Sequence, residues 1–173
     1  MKPQFLALLV VVTSLAGAQG HDTKTPEAMK SIQFLVGDWS GKQTFNTGGP
    51  AMVGDITVKV HETVGGRYLE EVLSTTLPGR KPTDTRHFLT FDPTTNSYHA
   101  WWFNDTSYGP TELEGKLSGD VLVLESHPKE GSASPVLRAT YDKQSDTKLA
   151  YKLEMKTANG WQELFHNTYA KMP

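Results

Sequence analysis

Apolar residues recur with two different periods along this chain. Ala28, Met29, Ile32, Leu35 and Val36 fall three and four apart, which predicts a short amphipathic helix from Pro26 to about Leu35. Pro26 suits the first turn, Thr25 is placed to cap it, Glu27 favours its positive end, and Gly37 stops it. From Asp38 onward the period is two. Leu149, Tyr151, Leu153 and Met155 alternate with Ala150, Lys152, Glu154 and Lys156. The same alternation runs through Ile56, Val58 and Val60, through Leu113, Gly115 and Leu117, and through Leu137, Ala139 and Tyr141. One wet face and one dry face is the signature of antiparallel sheet.

Turn residues punctuate these runs, at Gly48-Gly49-Pro50, Gly65-Gly66, Pro78-Gly79, Asp92-Pro93, Gly109-Pro110, Ser118-Gly119-Asp120, Pro128 to Pro135, Ser145-Asp146 and Asn159-Gly160. Asn159-Gly160 is the strongest two-residue hairpin signal among them. About ten strands result, with no helix between them to carry a parallel crossover. So many sequential strands curl rather than stay flat. An up-and-down barrel of about ten strands, closed so that no edge is exposed, is therefore the expected architecture, with the helix capping one mouth. A two-sheet sandwich is the alternative. A barrel of this size has room for side chains and one small ligand.

The start of the chain reads differently. Lys2 is followed by an apolar run from Phe5 to Leu15 and then by Ala16-Gly17-Ala18, the small-x-small form of a signal-peptidase site. The run is too short to span a bilayer core of about 30 Å. Residues 1–18 are therefore expected to be a signal peptide, 19–25 a frayed terminus and 26–173 the barrel domain of a secreted or periplasmic protein, without a membrane span. The 173 residues hold no cysteine, which excludes disulfides, zinc-thiolate and iron–sulfur sites, a thiol nucleophile and a lipoprotein anchor. The net charge of −2, with basic residues dispersed, gives no nucleic-acid footprint.

Four blocks in order carry a resemblance. Phe34-Leu35-Val36-Gly37-Asp38-Trp39-Ser40-Gly41 is a helix end followed by a Gly-x-Trp-x-Gly strand opening. It resembles the start of lipocalin-like (calycin) barrels, in which the tryptophan plugs the barrel bottom. With Gly65 to Glu70, Phe91-Asp92-Pro93 and Tyr98, and Trp101 to Asp105, it is similar to a family of small, often exported bacterial proteins known only as a domain of unknown function. A more distant similarity is to nitrobindin, a ten-stranded barrel that binds haem through a histidine of its last strand. That resemblance implies His166 as the haem-ligand position, if the residue faces inward.

Candidate binding residues follow from the face they share. Arg67 and Glu71 lie on the face of Leu69 and Leu73, where an inward pair would grip the head group of an amphiphile. The opposite parity puts Tyr68, Glu70 and Val72 inside and leaves Arg67 and Glu71 wet. Trp101 and Trp102 are consecutive, so one points in and one out. Trp39, Trp102 and Tyr151 are the aromatic candidates for a ligand-lined interior, and core filling is their other reading. His87 and His99 are placed on neighbouring strands, as a surface pair across the Asp92-Pro93 turn. Cleavage after Ala18 would leave Gln19-Gly20-His21, a possible copper or nickel site if the terminal glutamine stays open. No nucleophile elbow, phosphate loop or zinc-protease helix occurs. The expected function is binding of a small apolar or amphipathic ligand without catalysis and without a resident cofactor. The alternatives are haem chemistry at His166 and a partner-binding domain with a filled interior. The pattern does not fix the oligomeric state.

Overall fold

The computed structural model describes residues 26–46, 48–105 and 108–173. Ten strands follow one short helix: β1 Gly37–Phe45, β2 Met52–Thr63, β3 Tyr68–Thr76, β4 Thr83–Asp92, β5 Ser97–Asn104, β6 Thr111–Ser118, β7 Val121–Ser126, β8 Leu137–Ser145, β9 Lys148–Thr157 and β10 Gly160–Lys171. Each strand pairs antiparallel with the next, and β10 returns to pair with β1, closing the barrel. The sandwich alternative is thereby excluded. Inward residues are those of the dry faces named above, and ion pairs such as Glu70 with Arg86 and Glu125 with Arg138 dress the outside.

Two local expectations shift. The helix α1 covers only Glu27–Ser31, and a 3-10 turn covers Gln33–Leu35. The fully buried residues of this segment are Met29 in α1, Ile32 between the two, and Leu35 in the 3-10 turn. Pro26 occupies the N-cap without a side-chain cap bond, and Thr25 lies outside the described residues. The last hairpin forms one residue earlier than its Asn-Gly signal. Gly160 pairs with Thr157, so Ala158 and Asn159 form the loop and Gly160, at φ +111°, opens the strand.

The two ends of the barrel differ. At one end the strands are joined by short turns: 64–67, 93–96, 119–120 and 146–147. Here the helix seals the mouth. Met29, Ile32 and Leu35 enter the core, the Tyr98 hydroxyl donates to the Ala28 carbonyl at 2.7 Å, and the Trp39 indole N–H donates to the Leu35 carbonyl at 2.8 Å. At the other end the connections 46–51, 77–82, 105–110 and 127–136 are longer, with only 158–159 tight. No helix among the described residues is long and apolar enough to cross a membrane.

Close strand approach makes Gly115 indispensable in β6. A Cβ built there would sit 1.8 Å from the Val123 carbonyl oxygen and 2.8 Å from the Leu124 Cα, both backbone atoms that cannot rotate away. Gly115→Ala is expected to destabilise the barrel by at least about 1–3 kcal/mol, read as a lower urea midpoint at unchanged slope.

Candidate functional site

The half of the barrel nearer the helix is filled, and the half nearer the long connections is not. A cavity of about 220 Å³ lies there, at about 30 Å³ per liquid water equivalent to roughly seven waters. Its apolar wall includes Ile56, Leu73, Leu137, Leu153 and Phe165. Its polar wall includes Gln43, Thr75, Thr85, His87, Asn104 and Asn167, and Trp102 and Tyr151 also line it. The Gln43 amide oxygen accepts from the Thr75 hydroxyl at 2.9 Å, which orients one side of the wall.

Beneath the cavity sits a buried polar relay. Glu71 on β3 and His87 on β4 face each other in register and are 4% and 5% exposed. The His87 Nδ1 is 2.6 Å from Glu71 Oε2, and the Tyr141 hydroxyl donates to the same oxygen at 2.9 Å. Two groups therefore satisfy one carboxylate oxygen from opposite strands. Trp102, opposite His87 on β5, stacks on the imidazole with ring centroids 4.7 Å apart. Because Nδ1 is turned to Glu71, Nε2 is the ring nitrogen left for the cavity, and no hydrogen bond reaches it among the described residues.

Two buried polar atoms have no partner among the described residues: the Trp102 indole Nε1 and the Asn167 amide oxygen. Both residues line the cavity. One is a donor and the other an acceptor, and leaving each unpaired costs about 1–3 kcal/mol. The Asn167 amide nitrogen, by contrast, donates to the Tyr169 hydroxyl.

Burial pushes the Tyr141, Tyr151 and Tyr169 phenols well above their usual value of 10, and the charge on Glu71 pushes each further. A raised native value leaves stability intact below the unfolded-chain value of about 10. Above it the unfolded chain sheds phenolic protons that the native protein keeps. Stability should therefore fall as pH climbs past about 10, with phenolate absorbance rising together with unfolding rather than before it. Phenolate appearing near pH 10 in a still-folded protein would contradict the buried placement.

The candidates read from sequence divide. Trp102 and Tyr151 line the cavity. Trp39 and Leu69 are fully buried in the filled half and are not on its wall. Glu71 points inward as the first parity required, but its partner is His87 rather than Arg67. Arg67 precedes β3 in the turn at the sealed end, where it lines an outer groove with Tyr68, His99 and Trp101. An arginine–carboxylate grip on a head group is therefore not formed; four residues of strand carry the two side chains to different depths of the barrel. The surface pairing of His87 with His99 is also corrected. His87 lies across from Trp102 and His99 across from Thr90, so the former points in and the latter out. His166 points outward, between inward Phe165 and Asn167, and its Nδ1 is 2.7 Å from Glu163 Oε1. That side chain cannot hold a haem inside the barrel. His21 lies outside the described residues.

The chain belongs to the family described as protein of unknown function DUF1579, whose profile matches residues 25–171. No curated protein matches it. Among solved structures it is similar to Rv2717c from M. tuberculosis, with 16% identity, 87% of this chain and 100% of that one covered, and a TM-score of 0.66. It is also similar to the S-type phycobiliprotein lyase CPES from Guillardia theta, at 8% identity, 85% and 92% coverage and a TM-score of 0.58. A DUF3598-family protein of unknown function from Nostoc punctiforme follows, at 15% identity and a TM-score of 0.52, with 82% of this chain covering 49% of that one. At these identities the shared property is the barrel.

Proposed function

We propose that this DUF1579 member is an exported barrel that takes one small amphipathic molecule into its lumen. Residues 1–18 are the signal peptide and 26–173 the binding domain. One observation supports this reading above the rest. A buried donor on Trp102 and a buried acceptor on Asn167 stand without partners among the described residues, and both residues line one cavity. A filled structural core satisfies such groups internally. The ligand's polar group lies against Trp102, Asn167 and His87, and its apolar part against Leu137, Leu153 and Phe165. The volume limits it to a single ring or a chain of similar bulk.

The test is native mass spectrometry of the protein collected from the exporting host, with and without added benzamide, a single ring bearing one acceptor and one donor group. The expected spectrum shows the chain cleaved after Ala18 and carrying one small adduct, lost in Leu73→Trp, which fills the lumen. A chain that retains no adduct from the host and none from benzamide at millimolar concentration would overturn the reading.

A further inference from the structure

We infer that the lumen is also catalytic, with His87 as a base that moves a proton between two carbons of a small carbonyl compound; the inference rests on the binding reading above. Tyr141, Glu71 and His87 form a chain in which each member orients the next, at 2.9 and 2.6 Å. A base whose far nitrogen is fixed by a carboxylate, itself fixed by a hydroxyl, is the arrangement that activates an imidazole toward substrate. A buried carboxylate–imidazole pair is commonly no more stabilising than apolar residues of the same volume, and here the imidazole lines a cavity.

The chain has no cysteine, so the wall offers no thiol nucleophile. Beside His87 stands the Trp102 N–H, without a partner among the described residues and on a ring stacked against the imidazole. That is a base next to a preset donor for a developing oxyanion. The matching reaction is a 1,3-proton shift. His87 Nε2 takes a proton from the carbon between a carbonyl and a carbon–carbon double bond. The electron pair moves onto the carbonyl oxygen as a dienolate, held by the Trp102 N–H. The imidazolium then returns the proton to the far alkene carbon, and the double bond moves into conjugation. Atoms and charge balance without any co-reactant. Glu71 does not touch the substrate and is a positioning residue.

The probe is 3-cyclohexenone, one ring that the cavity can hold, converted to 2-cyclohexenone and followed by the absorbance of the conjugated enone. Unreactive cyclohexanone is titrated alongside to read binding. Wild-type protein is expected to saturate with probe and to exceed the buffer rate by roughly 10²-fold. His87→Gln should abolish the excess rate even at probe concentrations that restore saturation, with the fold unchanged by circular dichroism. Glu71→Gln should lower kcat about tenfold or more with KM little changed, a split that a merely structural role would not give. Trp102→Phe should lower kcat as well. Cyclohexanone binding without His87-dependent conversion overturns the inference and leaves the carrier standing. Neither binding nor conversion overturns the inference and tells against the carrier reading too.

Discussion

His87→Leu is expected to cost about 3–5 kcal/mol of folding stability, whereas Glu71→Leu combined with His87→Leu should cost far less, or nothing. The asymmetry comes from what each variant leaves behind. In the single variant the Glu71 carboxylate stays buried at 4% exposure and loses the imidazole, keeping among the described residues only the Tyr141 hydroxyl as a hydrogen-bond partner. The double variant removes both polar groups and puts apolar side chains beside Ala139, Leu89 and Leu69, which already surround the site on the inner faces of β8, β4 and β3. Urea titration of the three proteins decides it. A single variant that loses less than about 1 kcal/mol would mean the pair is solvated, and the relay would lose its meaning.

Trp39→Ala should be comparably severe, at about 3–5 kcal/mol. Trp39 is the largest of the fully buried side chains, and it lies where β1 meets both the helix segment and the end of β10. Its ring is covered by the Lys171 ammonium at 5.2 Å from the centroid, and its N–H holds the Leu35 carbonyl. Deleting the ring leaves a cavity and an unpaired carbonyl, and unties the segment that seals this mouth. Amide exchange at Met29 to Val36 should accelerate out of proportion to the global loss. Trp39→Phe keeps most of the packing and loses only the hydrogen bond, so it should cost about 1–3 kcal/mol. Equal effects of Ala and Phe would show that the hydrogen bond, not the plug, carries the energy.

Why the fold could be read and the site only partly follows from the same periodicity. Where one face is wet, as in Leu149 to Lys156 or Ile56 to His61, alternation names the inward residues, and the barrel confirms each. Around the relay that contrast is weak. His87-Phe88-Leu89-Thr90-Phe91 carries large side chains on both parities, because Phe88 packs on Phe103 on the outer surface. Alternation therefore gave no reason to place His87 inside. Asn167 is flanked on its own face by Phe165 and Tyr169, but Asn is ordinarily a surface residue, so its type hides what its position shows. Tyr141 was legible as an inward residue and not as a partner of Glu71, seventy positions away. Such a contact exists only once the sheet closes and brings β8 across from β3. The tryptophan plug, by contrast, is what the resemblance of the Gly-x-Trp-x-Gly opening to lipocalin-like barrels implies, and Trp39 is 1% exposed.

The most direct test of the account follows the Trp102 indole N–H in a two-dimensional nitrogen–proton spectrum while benzamide is added. An unpartnered donor on a lumen wall should show a resonance typical of a free indole. That resonance should then move downfield in a saturable way as the amide oxygen binds, with the Trp39 and Trp161 indole signals unmoved. A Trp102 signal already shifted as hydrogen-bonded in the unliganded protein, or unchanged at saturating benzamide, would contradict a lumen built to receive a guest.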